Sequence, residues 1–240
     1  MLSHIAPFES NLAGDPLAAE LSGATCHELY AARTPDAAAM SGLALVLIQR
    51  TAPQAILWVR QTMIDCEAGC PYPPGLAELG IDPGRLILVR APDSVSALQA
   101  GLEGARCPAL GAVLIELWGE AKAFDLTASR RLVLAARESG VPLLLTRVAA
   151  RPQPSAAASR WQVAAAPSRP RAANAPGSPA FALTLLRGRD RSEGARHHLE
   201  WDRDARSFAP LAPRPEALSR ALATVSLDRA GTAGRRGRTG

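Results

Sequence analysis

Between residues 26 and 147 the chain alternates short apolar runs with longer segments of mixed polarity. The runs are CHELYAA (26–32), AILWVR (55–60), RLILVR (85–90), AVLIEL (112–117) and PLLLTR (142–147). The last four are continuous rather than alternating, which is the pattern of strands buried on both faces. The segments between them carry helix signals. For 34–50, Thr34 stands at the N-cap position, Pro35 suits the first helical position, and Asp36 favours the positive N-terminal end. A short helix is expected at 75–80, stopped by Gly80. Asp93 caps a helix over 94–106, and Asp125 or Thr127 caps one over 126–140 that Gly140 ends. The stretch 61–74, with three prolines, reads as a loop. The resulting order, β-α-β-α-β-α-β-α-β, predicts an α/β fold with a mostly parallel sheet flanked by helices.

Past residue 147 the pattern changes. RWQVAAA (160–166) reads as a strand, and 167–179 is rich in Pro, Ala and Ser without a period. The segments 181–187 and 196–202 are strand-like and separated by about eight residues with two glycines, the signature of an antiparallel C-terminal hairpin. The expected organisation is a lead-in over 1–25, a core over 26–208 and a flexible basic arm over 209–240. Within the arm, 216–227 reads as a short helix with Leu218, Leu222 and Val225 on one face.

Composition agrees with a folded chain: 240 residues, 48% apolar and 20% charged, enough to bury a core without disulfides. Aromatics are 4%, so the core is built from Ala, Leu and Val. The longest apolar stretches, such as LALVLI at 43–48, fall far short of the roughly 18 residues a membrane span needs. MLSHIAPFES has no basic region and no long apolar run, so the expected location is cytoplasmic. Cys26, Cys66, Cys70 and Cys107 then read as reduced thiols. Cys66 and Cys70, with His27 beside Cys26, also admit a zinc reading, but structural zinc sites usually bring two close ligand pairs. Net charge is +5, and Lys122 is the only lysine. Any chemistry that requires a lysine therefore rests on Lys122.

HELYAA (27–32), ILWVRQ (56–61), PPGLAELGIDPGRLILVRAPD (73–93) and LTASRRLVLAARESGVPLLL (126–145) resemble, in order and spacing, the ImuA family. These are RecA-like accessory proteins of bacterial damage-induced mutagenesis. RWQVAAAPS (160–168) and LTLLRGR…LEWD (183–202) also fit, so the resemblance spans roughly 22–208. It implies a RecA-like sheet and a non-enzymatic scaffold role in SOS-induced, error-prone translesion synthesis. It further implies an ImuB-type Y-family-like partner, an error-prone replicative-type DNA polymerase, and contact with RecA or DNA. The alternative is an ATP-dependent DNA-binding ATPase or recombination modulator.

The two readings diverge at the nucleotide site. A phosphate loop follows G-x-x-x-x-G-K-[ST], with glycines that let backbone N–H groups wrap the phosphates and a lysine that neutralises them. The corresponding loop, AARTPDAAAMSG (31–42), has no lysine and no glycine before its helix, and Asp36 adds negative charge. Glu116 ends the fourth run, where the resemblance implies a magnesium-holding carboxylate; it reads equally as a structural strand-end carboxylate. After the second run come Arg60, Gln61 and Thr62 rather than a catalytic carboxylate, and Glu67 lies several residues away. ATP hydrolysis is therefore expected to be absent, with no cofactor and no catalytic residue. His4, His27, His197 and His198 form no H-x-x-x-H or H-E-x-x-H pair, and no G-x-S-x-G or G-x-G-x-x-G motif is present.

In RecA-like proteins, DNA lies near the loops after the late strands. The matching loops are WGEAKAFD (118–125) and VAARPQPSAAAS (148–159). In the first, Lys122 is offset by Glu120 and Asp125. The second carries Arg151 and is flanked by Arg147 and Arg160, which read either as phosphate contacts or as a solvated rim. In the tail, Arg229, Arg235, Arg236 and Arg238 interleave with glycine, a composition suited to non-specific nucleic-acid contact or to solubility. Leu218, Leu222 and Val225 suit a partner groove.

Overall fold

A computed structural model describes residues 17, 25–49, 54–172, 175, 177–188 and 193–212. A single nine-stranded sheet organises them. Its strands are β1 (Cys26–Ala31), β2 (Ile56–Gln61), β3 (Leu86–Ala91), β4 (Ala112–Trp118), β5 (Leu143–Val148), β6 (Ser159–Ala165), β7 (Ala180–Arg187), β8 (Arg196–Asp202) and β9 (Ser207–Pro210). The helices are α1 (Ala37–Gln49), α2 (Thr62–Ala68), α3 (Pro73–Glu78), α4 (Ser94–Ala105) and α5 (Leu126–Ser139). The spatial order is β3-β2-β4-β5-β1-β6-β7-β8-β9. Pairings from β3 through β6 are parallel, and those from β6 to β9 are antiparallel.

Two apolar layers sandwich the sheet. One lies under α1 and α3 and runs along the whole sheet, from Trp58 and Leu114 to Trp161, Leu183, Trp201 and Phe208. The other lies under α4 and α5 and gathers Val59, Ile115, Leu132, Val133, Ala136 and Leu145. α4 approaches the sheet closely because Gly101 and Gly104 face it. A Cβ on Gly101 would stand 2.1 Å from Ile115 Cδ1, and one on Gly104 would stand 2.3 Å from Leu57 Cδ2. The helix ends follow the signals at Asp93, Asp125 and Gly140. Asp93 accepts from Ser96 N at 2.7 Å, Asp125 accepts from Ala128 N at 2.7 Å, and Gly140 takes the left-handed conformation at φ 80°.

Four expectations are corrected. The stretch 61–74 is not a plain loop, because Thr62–Ala68 is helical and the next helix starts at Pro73. Thr34 does not cap α1: residues Thr34–Asp36 form a 3-10 turn, and the side chain that binds backbone there is that of Asp36. RLILVR is not buried on both faces, because it forms β3 at the edge of the sheet, where Ile87 is 48% exposed. The antiparallel hairpin is present as β7 and β8, and β9 adds a further strand to it. Ala209 and Pro210 belong to β9, so the boundary expected between 208 and 209 falls inside a strand. Residues 213–240, including the helix placed at 216–227, lie outside the described residues.

Candidate functional site

In open α/β sheets the ligand crevice lies at the carboxyl ends of the strands. Here those ends carry a chain of charged side chains. Arg60 on β2 and Glu116 on β4 are register partners and project into the α1 layer. Arg60 Nε donates to Glu116 Oε2 at 2.5 Å, and Ser41 Oγ on α1 donates to Glu116 Oε1. A second guanidinium nitrogen of Arg60 donates to Asp65 Oδ1 and, at 3.2 Å, to the Gly69 carbonyl. Arg90 Nε on β3 closes the chain on Asp65 Oδ2 at 2.7 Å. Arg60 and Glu116 are 3% and 1% exposed, and the Arg60 guanidinium lies 5.1 Å from the centre of the Trp58 ring.

The sequence signal for this pair was a basic residue ending an otherwise apolar strand. An arginine buried there requires a carboxylate partner, and Glu116 ends the adjacent strand. Pairing Arg60 with both Asp65 and Gly69 also explains why α2 forms: the segment is drawn back over the ends of β2 and β4. Gln61 is likewise structural, since its Oε1 accepts from Trp118 N at 3.1 Å.

The loop after β1 is closed by its own carboxylate. Counted from Ala31, phosphate-loop spacing puts Asp36 at the second glycine and Ala37 at the lysine. Asp36 is 1% exposed. Its Oδ2 accepts from Arg33 N at 3.1 Å and Arg33 Nε at 3.2 Å, and its Oδ1 accepts from Ala165 N on β6 at 3.1 Å. The Asp36 carboxylate thus binds backbone N–H groups of the loop and of β6 and pins the two together.

A second buried cluster lies on the α5 face. Glu28 Oε2 accepts from Arg160 Nε at 2.9 Å and from Tyr30 OH at 3.2 Å. Arg160 also donates to Ser155 Oγ at 2.8 Å. Arg147 sits between the Tyr30 and Phe124 rings, at 5.7 and 5.3 Å, and donates to the Gly119 carbonyl at 3.2 Å. Of the three arginines expected as phosphate contacts or a solvated rim, Arg147 and Arg160 are therefore interior, and Arg151 alone is exposed. The buried pair holds the 118–125 and 148–159 loops in place. Glu120 ties the loops together as well, accepting from Arg151 N at 3.2 Å and Gln153 Nε2 at 3.0 Å. Leu218, Leu222, Val225, Arg229, Arg235, Arg236 and Arg238 lie outside the described residues.

Burial pushes the Tyr30 phenol up to about 12, with the Glu28 carboxylate adding to it and Arg147 and Arg160 opposing. The neutral phenol is the form the fold favours. Its contribution, roughly 2 kcal/mol, is complete below the unfolded value near 10 and is lost as pH rises toward 12. In a Tyr72→Phe background, phenolate absorbance should report Tyr30 alone, ionising near pH 12 together with a loss of stability. Ionisation near 10 with unchanged stability would contradict the buried cluster.

Cys26 is buried, and Cys66, Cys70 and Cys107 are exposed. Among the described residues, no group of three or more His, Cys, Asp and Glu side chains could hold a metal ion. His197 packs on Trp161 with ring centres 5.8 Å apart, while His27 Nδ1 lies 2.8 Å from Ser159 Oγ. No helix among the described residues is long and apolar enough to cross a membrane.

A mostly parallel sheet in the order 3-2-4-5-1-6, extended by antiparallel strands and covered by helices, defines a RecA-like fold. Among solved structures, the RadB recombinase is similar to this chain, with a TM-score of 0.53 and 14% sequence identity over 82% of this chain and 96% of that one. At that identity the likeness is one of fold. No protein-family model matches the chain, and no curated protein does.

Proposed function

We propose that this protein is a non-enzymatic, RecA-like accessory protein of error-prone translesion DNA synthesis. In this reading it bridges an ImuB-type Y-family-like protein and a mutagenic replicative-type polymerase in the SOS response. The observation that carries the non-enzymatic half is the Arg60–Glu116 pair. A RecA-like ATPase needs a free carboxylate at the end of the fourth strand for magnesium and another near the second strand to activate water. Here both Glu116 oxygens are engaged, one by Arg60 and one by Ser41. The Asp36 carboxylate also stands where phosphate oxygens would need donors, and even in a watery setting that repulsion disfavours ATP by about 1 kcal/mol. The accessory half rests on the resemblance at 27–32, 56–61, 73–93 and 126–145.

The test has two arms. ATP should bind more weakly than about 1 mM and should not turn over; micromolar binding with turnover abolished in Glu116→Ala would favour the ATPase alternative. Deleting 213–240 should leave the melting temperature nearly unchanged but weaken capture of the purified Y-family-like partner. Full partner affinity in the truncated protein would remove the tail from the interface.

A further inference from the structure

The outer face of α5 carries a surface that the fold does not account for. The helix already buries Ser129, Leu132, Val133, Ala135 and Ala136 against the sheet. Opposite them, Leu126 and Leu134 are 41% and 54% exposed, and Arg130, Arg131 and Arg137 are exposed around them. Leu126, Arg130 and Leu134 follow one another at spacings of four, with Arg137 three further on, so they share a stripe. The two leucines stand about 12 Å apart along the helix axis.

Single exposed leucines are ordinary; the charges around these are not balanced. Arg130, Arg131 and Arg137 make no ion pair with any described residue. The neighbouring α4 shows the usual arrangement, with Arg106 paired to Glu103 at 2.8 Å. On α5 the one exposed acid within the helix, Glu138, stands at neither the i+3 nor the i+4 position of any of the three arginines. Arg137, in the last turn, suits the negative C-terminal end of the helix, whereas Arg130 and Arg131 lie outside both end turns and gain nothing from the dipole.

We propose that the outer face of α5 is a docking surface for an acidic polypeptide segment with aliphatic anchors. Carboxylates would pair with the three guanidiniums, and two apolar side chains would cover Leu126 and Leu134. A nucleic acid would satisfy the arginines but bring nothing to cover the leucines. The chain's own lead-in carries Glu9, Asp15 and Glu20 and no Lys or Arg. Its Leu17 is buried in the α1 layer, on the opposite face of the sheet. The C-terminal segment 213–240 has aliphatic residues but sets six arginines against Glu216 and Asp228, so it lacks the negative charge that three guanidiniums call for, and the occupant we commit to is a separate polypeptide. The inference is carried by α5 and does not rest on the accessory reading.

The test is selection of short random peptides displayed against the full-length protein. Selected peptides should be net negative and carry Leu, Ile or Phe. They should bind at least about tenfold more weakly to Arg130→Glu/Arg131→Glu and to Leu134→Ser. Both variants alter exposed side chains, so their melting curves should match that of the parent. Added salt should weaken binding, as expected for exposed charges. The proposal is overturned if no peptides are selected, if those selected lack acidic residues, or if either variant binds them as well as the parent. It is equally overturned if an oligonucleotide binds more tightly than the peptides and loses that affinity in Arg130→Glu/Arg131→Glu.

Discussion

Arg60→Met is expected to destabilise the protein by about 3–5 kcal/mol, because it leaves Glu116 buried without its counter-ion. Only the Ser41 hydroxyl would remain to Glu116, and a carboxylate 1% exposed cannot recover its hydration. Asp65 loses less, since it keeps Arg90, whose side chain is 53% exposed. The double variant Arg60→Met/Glu116→Leu should recover most of the loss or exceed the parent, because apolar groups of similar volume avoid the desolvation cost of both charges. Urea unfolding of the parent, both single variants and the double variant gives the coupling energy directly. A single-variant cost under about 1 kcal/mol, or additive effects, would mean that the pair is solvated and the nucleotide site is open.

Trp201→Ala should cost about 3–5 kcal/mol and leave one cooperative unfolding transition. The ring is fully buried, packs on Phe208 with centres 4.9 Å apart, and donates from Nε1 to the Leu79 carbonyl at 2.9 Å. That hydrogen bond joins β8 to the end of α3. The apolar layer under α1 continues from β2 to Trp201 without a break. The antiparallel strands therefore belong to the same folding unit as the parallel ones. Two separated transitions, with only one shifted by the substitution, would show instead that β7–β9 form a satellite.

The parallel half of the sheet was readable because β2, β4 and β5 are buried on both faces and β3, though a half-exposed edge strand with Ile87 48% exposed, carries the same continuous apolar run. ILWVR, LILVR, VLIEL and LLLTR need no partner to declare themselves, and Asp93, Asp125 and Gly140 mark helix ends by local chemistry. β9 was missed because SFAP is four residues long and carries no alternation that distinguishes it from a Pro-rich linker. α2 was missed because only Ile64 in it is buried; the segment is held by the Arg60 contacts to Asp65 and Gly69 rather than by an amphipathic face.

The same division holds for the candidate site. The missing lysine and glycines of the 31–42 loop are properties of the chain, and no folding can supply them. The fate of the charged side chains is different. Arg60 and Glu116 are 56 positions apart, and Glu28 and Arg160 are 132 apart. A sequence shows that each exists, but only strand register makes them neighbours. Arg147 and Arg160 looked like surface arginines beside a loop; the pairing of β1 with β5 and β6 turns them toward Tyr30 and Glu28. Residue types and their local periodicity thus determined eight of the nine strands, most helix ends and the lack of a lysine in the 31–42 loop. Tertiary structure decided which charges are buried, because strand register brings Glu116 to Arg60 and Glu28 to Arg160 and encloses Arg147 between the Tyr30 and Phe124 rings.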